Sequence, residues 1–360
     1  MARFIALYLP QYHPCKENDE WWGPGFTEWV NVAKARPLFK GHKQPHIPAD
    51  LGFYDLRLPE TREEQVRLAR EAGIEGFCYY HYWFGNGFQL LERPFKEVVE
   101  SGKPDFPFCL CWANHSWYKK TWDPKSKGNN ILLAEQKYLG QEDWYNHFIS
   151  LLPAFKDNRY IRVNGKLLFL IYDALNFKDV SLFISYWRQL AFNNQLGDFF
   201  FVAEDGDSRN KDNYLSKGFD AIYNCDFLNI HHNLSKLKKA ILYFGRRYLN
   251  IPTLFKYKEA IKYMITEDCK DRKVFPTIAP NWDHSPRSGK HAMILTGSTP
   301  ELFEQLANKA IITVKNKPEE EQIIMIKSWN EWGEGNYMEP DQEFGHGYLR
   351  ALRSAIDSNK

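Results

Sequence analysis

The chain carries almost no net charge. Its 47 Lys and Arg against 45 Asp and Glu leave +2 over 360 residues. That balance supplies no global basic field and argues against nucleic acid as a partner. No stretch approaches the roughly 20 apolar residues that span a bilayer. The six cysteines (Cys15, Cys78, Cys109, Cys111, Cys225 and Cys269) are spaced for neither a disulfide framework nor a zinc site. Three of them, Cys78, Cys109 and Cys111, lie in apolar strand-like runs, where buried free thiols are common. This favours a reducing compartment, hence the cytoplasm. The histidines form no metal spacing such as HExxH, and neither a phosphate-cradling glycine loop nor a G-x-S-x-G elbow is present. Asp123 or Asp226 with Asp173 would be the carboxylates for a divalent cation, on weak grounds. No metal and no cofactor is expected. The first ten residues look superficially like a short signal. They lack a small-residue cleavage site, and Gln11, Tyr12 and His13 follow directly, so they read as a first strand.

Aromatic residues, by contrast, are plentiful: 12 Trp, 20 Tyr and 26 Phe, or 16 % of the chain. That suits either an aromatic core or a site for flat apolar faces that bear hydroxyls. Eight apolar, non-alternating runs are candidate strands: Arg3–Leu9, Ile74–Tyr82, Phe108–Ala113, Leu167–Asp173, Phe199–Asp205, Ala221–Asp226, Val274–Pro280 and Ile323–Ser328. Helical periodicity marks Thr61–Glu71, Leu90–Ser101, Gln141–Leu152, Val180–Asn193, Pro300–Val314 and Gly347–Ser358. The alternation predicts an α/β fold, a (β/α)8 TIM-type barrel with long βα loops, as one domain over residues 1–360. An insertion is expected between strands six and seven, over about 228–272.

Nearly every candidate strand ends in polar or aromatic residues, at the rim where barrel enzymes place their active sites. The richest ending is Trp329-Asn330-Glu331-Trp332-Gly333-Glu334-Gly335. Two carboxylates flanked by indoles suit sugar chemistry. One acid protonates a leaving oxygen, the other serves as base or nucleophile, and indole faces stack on pyranose C–H surfaces. In a straight strand the two glutamates would point to opposite faces, and Gly333 and Gly335 permit the turn that would unite them. The alternative is a helix-capping loop with solvated acids.

The long loop after strand one carries Trp21, Trp22, Glu28 and Trp29. It reads as functional, or else as a hydrophobic plug for the barrel end. Glu331 and Glu334 are the catalytic candidates. Candidates for substrate binding are Tyr12, Trp22, Glu28, Trp29, His81, Tyr82, Trp83 and Trp112. To these the later strand ends add Asn114, Asp173, Glu204, Asp226, Asn281, Trp329, Asn330 and Trp332. Residues 236–262 hold eight Lys and Arg against Glu259, interleaved with apolar residues. They read as a solvated helix on the barrel or as peripheral contact with an anionic membrane, which would place the protein at the inner membrane.

With these motifs in order along nearly the whole chain, the sequence resembles the WbsX-type proteins of bacterial surface-polysaccharide gene clusters, relatives of glycoside hydrolase family 99. The markers are Tyr8-Leu9-Pro10-Gln11-Tyr12-His13, Trp21-Trp22-Gly23 through Glu28-Trp29, Gly76-Phe77 through Tyr82-Trp83, Trp112-Ala113-Asn114, the strand-eight cluster, and Glu339-Pro340. The resemblance implies a metal-independent retaining endo-α-mannosidase-like hydrolase acting on an oligosaccharide or polysaccharide. The sugar's own 2-hydroxyl would attack C1 to give a 1,2-anhydro sugar. Glu331 would take the hydroxyl proton, while Glu334 would protonate the leaving oxygen. Glu331 is then expected to start ionised and Glu334 protonated. The hydrolases have histidine where this chain has Gly333. The WbsX branch is also labelled as glycosyltransferase, which gives the alternative reading.

Overall fold

The computed structural model describes residues 1–119, 130–206, 210–225, 230, 234–248 and 251–360. Eight passes of strand build it. They are β1 (Arg3–Tyr8), β2 (Gly76–Trp83), β3 (Phe108–Trp112), β4 (Lys166–Ile171), β5 (Phe199–Asp205), β6 (Ala221–Asn224), β7 and β8 (Ile323–Ile326). The seventh pass is split into Val274–Phe275 and Thr277–Ile278. All pair in parallel. The first half of β7 continues the sheet from β6, its second half lies against β8, and β8 pairs with β1. The result is a nearly closed barrel of nine parallel segments. The break falls at Pro276, which has no N–H to give a ladder but whose carbonyl accepts from Met325 N at 2.9 Å. Apolar side chains fill both faces, and all eight residues of β2 are buried.

The helices stand close to where periodicity puts them. They run over Pro59–Ala72, Arg93–Ser101, Gln141–Phe155, Val180–Asn193, Pro300–Val314 and Gly347–Asp357. The second begins later than its pattern suggests. Gln89–Leu90 turns back and pairs antiparallel with the end of β2, and the helix starts beside Pro94, a residue suited to the first turn. The loop after β1 contains two short helices, Lys16–Trp22 and Glu28–Lys34. Thr27 caps the second by accepting from Trp29 N at 3.3 Å. Between β6 and β7 lie a helix at Lys236–Tyr248, a strand at Thr253–Lys256 and a helix at Tyr257–Met264. That strand pairs in parallel with Met293–Thr296, a segment of the β7–β8 connection. All six cysteines are free.

Candidate active site

Beyond β8 the chain does not continue straight. Asn330–Glu331 pairs antiparallel with Asn336–Tyr337, and Trp332–Glu334 forms one turn of 3₁₀ helix between them. Gly335 closes the turn at φ 57, where a Cβ would lie 2.7 Å from Asp283 Cβ. The turn is pinned to β1. The Asn330 side chain accepts from Leu9 N at 2.8 Å and donates to Leu9 O at 3.0 Å. Tyr12 donates its hydroxyl to Asn330 O at 2.6 Å and accepts from Trp332 N at 3.1 Å. Glu331 and Glu334 thereby open on one cavity of about 550 Å³, which Trp22, Glu28, Tyr82, Tyr172 and Lys327 also line.

One guanidinium ties the carboxylates together. Arg287 donates from Nε to Glu28 at 3.0 Å, from one terminal nitrogen to Glu334 at 2.7 Å and from the other to Glu331 at 2.9 Å. Gly333 is what makes room for this. Its φ is ordinary, but a Cβ there would stand 2.3 Å from Glu28 Oε2 and 2.9 Å from Arg287 Nε. The glycine therefore supplies space rather than conformational freedom, and the Glu28–Arg287 pair fills the volume of a side chain at that position.

The two glutamates titrate in opposite directions. Burial pushes Glu331 up to about 8, with Arg287 opposing and the neighbouring carboxylates reinforcing. Burial also works against the charge of Glu334. There Arg287, with His284 and Lys327 behind it, prevails and holds the group below the ordinary glutamate range. These directions favour the proton on the Glu331 side of the pair and the charge on the Glu334 side, the reverse of the expected starting state. The physical cause is that Arg287 and His284 both sit against Glu334.

Of the predicted site residues, Trp22, Glu28, Tyr82, Glu331 and Glu334 face the cavity. Trp329 and Trp332 do not: they are 0 % and 1 % exposed. Trp332 stacks on Tyr337 at 3.7 Å and donates to Glu339 at 2.6 Å, so these indoles support the turn from below. Trp29 is likewise buried and donates to Tyr54 O. His81 faces His147 at 2.8 Å, Trp83 stacks on His147 at 4.7 Å, and Trp112 donates to Trp83 O, all within packed core. Asn114 clips β3 to β4 by bonding both backbone groups of Asp173, whose carboxylate accepts from Asn176. Glu204 stands behind Lys327, at 3.1 Å from its Nζ. Asn281 lines a second, smaller cavity beside Asp283 and His42. Asp226 and Asp123 lie outside the described residues.

The sequence reading missed Arg287 and Lys327, the cations that set the charge of the pocket. Arg287 sits in a four-residue helix, Ser285–Ser288, with no periodic signal to mark it. Lys327 was legible only as a lone charge in an apolar strand, the kind of interruption that repays scrutiny.

Two kinds of relative match this architecture. The chain is 36 % identical to the uncharacterized protein WxcX of Xanthomonas campestris pv. campestris strain B100, and equally to that of strain ATCC 33913. In both cases the alignment covers 99 % of this chain and 50 % of the relative, so the chain spans about half the length of the curated relatives it matches. Among solved structures, the GH99 endo-α-mannosidase of Bacteroides thetaiotaomicron superposes with a TM-score of 0.60 at 14 % identity. That match covers 99 % of this chain and 97 % of the enzyme. A glycoside hydrolase-like protein gives 0.59, also at 14 %, over 98 % and 93 %. These likenesses establish a shared barrel. The family model described as "Glycosyltransferase WbsX" matches residues 4–352, and the chain belongs to the WbsX family.

Proposed function

We propose that this chain is a carbohydrate-active enzyme of the glycoside hydrolase kind, cleaving an α-mannosidic or related internal linkage in a bacterial surface polysaccharide or its precursor. The observation that carries the reading is the convergence of Glu331 and Glu334 on one aromatic-lined cavity with their proton affinities driven apart. The proton count of the pair suits acid–base catalysis. At neutral pH the two groups together hold one proton, which belongs to the pair rather than to either residue. A substrate that draws Arg287 away from Glu334 lets that proton cross to Glu334. Glu331 is then left ionised to take the 2-hydroxyl proton, and Glu334 is ready to protonate the leaving oxygen. A raised affinity also makes Glu331 a stronger base than an ordinary glutamate, which the removal of a sugar hydroxyl proton requires.

The test is product analysis with mannose-containing bacterial oligosaccharides and no nucleotide sugar, beside a Glu331→Gln/Glu334→Gln variant. Cleavage by the wild type alone is expected. The description of the family favours a second reading, transfer of a sugar to the growing glycan. Silence without nucleotide sugars, followed by glycan extension once they are added, would replace hydrolysis with transfer.

A further inference from the structure

The helix Lys236–Tyr248 has no buried residue, although half of it is apolar or aromatic. Its half-buried positions are Lys239, Leu242 and Gly245, and Leu242 rests against the core. The opposite side is a stripe. Leu237, Ile241, Phe244 and Tyr248 are 71, 60, 53 and 65 % exposed. Their spacing of four, three and four residues sets them within about 60° of one helix face at 3.6 residues per turn. Phe244 and Tyr248 stack on each other at 4.9 Å.

Basic residues border the stripe, Lys236 and Arg247 on one flank and Lys238 on the other, while Lys239 and Arg246 lie on the far side. The helix contains no acidic residue. A helix laid on water would not keep four large apolar side chains in line on its outer face. A protein partner for this face would need a matching ring of acidic residues. Apolar residues at the centre and long cationic side chains at the edges are the distribution of a helix lying in the plane of an anionic lipid surface.

Topology starts this insertion at the rim that bears the pocket. The helix follows the C-terminal end of β6. The strand after it, Thr253–Lys256, pairs with Met293–Thr296, which is separated from the Arg287 helix by one 3₁₀ turn, Gly289–His291. We propose that the Lys236–Tyr248 helix docks the protein on an anionic bilayer. The Leu237–Ile241–Phe244–Tyr248 stripe enters the headgroup boundary, and the same rim of the barrel that bears the pocket turns toward the membrane. This goes beyond the reaction proposed above and stands whether that reaction is hydrolysis or transfer.

The test is partitioning of the full chain onto vesicles of phosphatidylcholine doped with phosphatidylglycerol, against pure phosphatidylcholine. Binding to the anionic vesicles is expected, weakened by salt and lowered at least about tenfold by Leu237→Asn/Phe244→Asn. A Phe244→Trp variant is expected to blue-shift its emission on the same vesicles. The substituted side chains are exposed, so unchanged far-UV circular dichroism serves as the folding control. Three results would overturn the proposal: no partitioning by the folded wild type, partitioning indifferent to the stripe variant, or a wild-type dimer that the stripe variant splits. The last would make the face an interface between copies.

Discussion

Two ionisable pairs near the ends of barrel strands behave in opposite ways. His81 at the end of β2 meets His147 at 2.8 Å, and burial lowers both, His81 to about 3. Their neighbours are rings, Trp83, Trp112 and Trp187, so the cheapest state is neutral and the pair is core. Glu331 is as confined and Glu334 is half-buried, but they share Arg287, and His284 beside Glu334 adds to the split. Burial alone silences an ionisable pair, whereas burial with one shared counter-charge differentiates it.

The sharpest way to break the comparison is to remove a member of the charged pair. Glu334→Gln is expected to lower turnover of glycosides with poor leaving groups by about 10²–10⁴, and of activated aryl glycosides far less. Equal losses on both, measured as kcat/KM, would sink the general-acid role. Arg287→Met leaves three carboxylates, Glu28 and Glu331 buried and Glu334 half-buried, without their common partner. A stability loss of about 3–5 kcal/mol by urea unfolding is expected, together with upward movement of Glu334 and loss of the split. A variant as stable as the parent at neutral pH would mean that Glu28, Glu331 and Glu334 are not held by that cation.

The pair should also be visible in the pH profile. Since burial pushes the Glu331 side of the pair up to about 8, the one-proton state is expected to disappear above that value, and kcat/KM to fall roughly tenfold per pH unit there. A profile that climbs through 8 would show that the fully ionised pair is the active form. Gly333→Ala is expected to cost about 1–3 kcal/mol and most of the activity, because the new methyl displaces Glu28 or Arg287. Full activity in that variant would show that the guanidinium bridge is dispensable.

The histidine pair should respond to acid instead. Its folded pKa values lie below the unfolded 6.5, so the unfolded chain takes up protons first and stability falls as pH drops from about 6.5 toward 3. By pH 5 the loss at His81 is about 2 kcal/mol, and His147 adds in the same direction. His81→Phe/His147→Phe is expected to flatten that slope while leaving activity within about twofold, since replacing both partners by rings of similar shape is nearly neutral. A collapse of kcat/KM with retained stability would return His81 to the site.

This contrast also explains what the sequence could convey. The eight strands and six principal helices were legible because periodicity and apolar runs are local properties. The glutamate turn was legible because its carboxylates, indoles and glycines are contiguous. Whether a strand-end residue faces substrate or core depends on what covers it, and that is not local. Trp83 and Trp112 are covered by His147, which arrives from the helix Gln141–Phe155. Trp329 and Trp332 look like sugar platforms but lie beneath the turn they flank. Arg287 precedes Glu334 by 47 residues and joins it only through the fold.

The clip between Asn330 and Leu9 spans 321 positions of the chain. The pocket therefore stands on the seam where the first barrel strand meets the last. During synthesis, β1 must wait with one edge unsatisfied until β8 has emerged, and every intermediate is an open sheet exposed to wrong pairing. The pocket cannot be assembled from half of the barrel: Tyr12 and Glu28 follow β1, and Glu331 and Glu334 follow β8. In this molecule the candidate pocket and the completed barrel are one event.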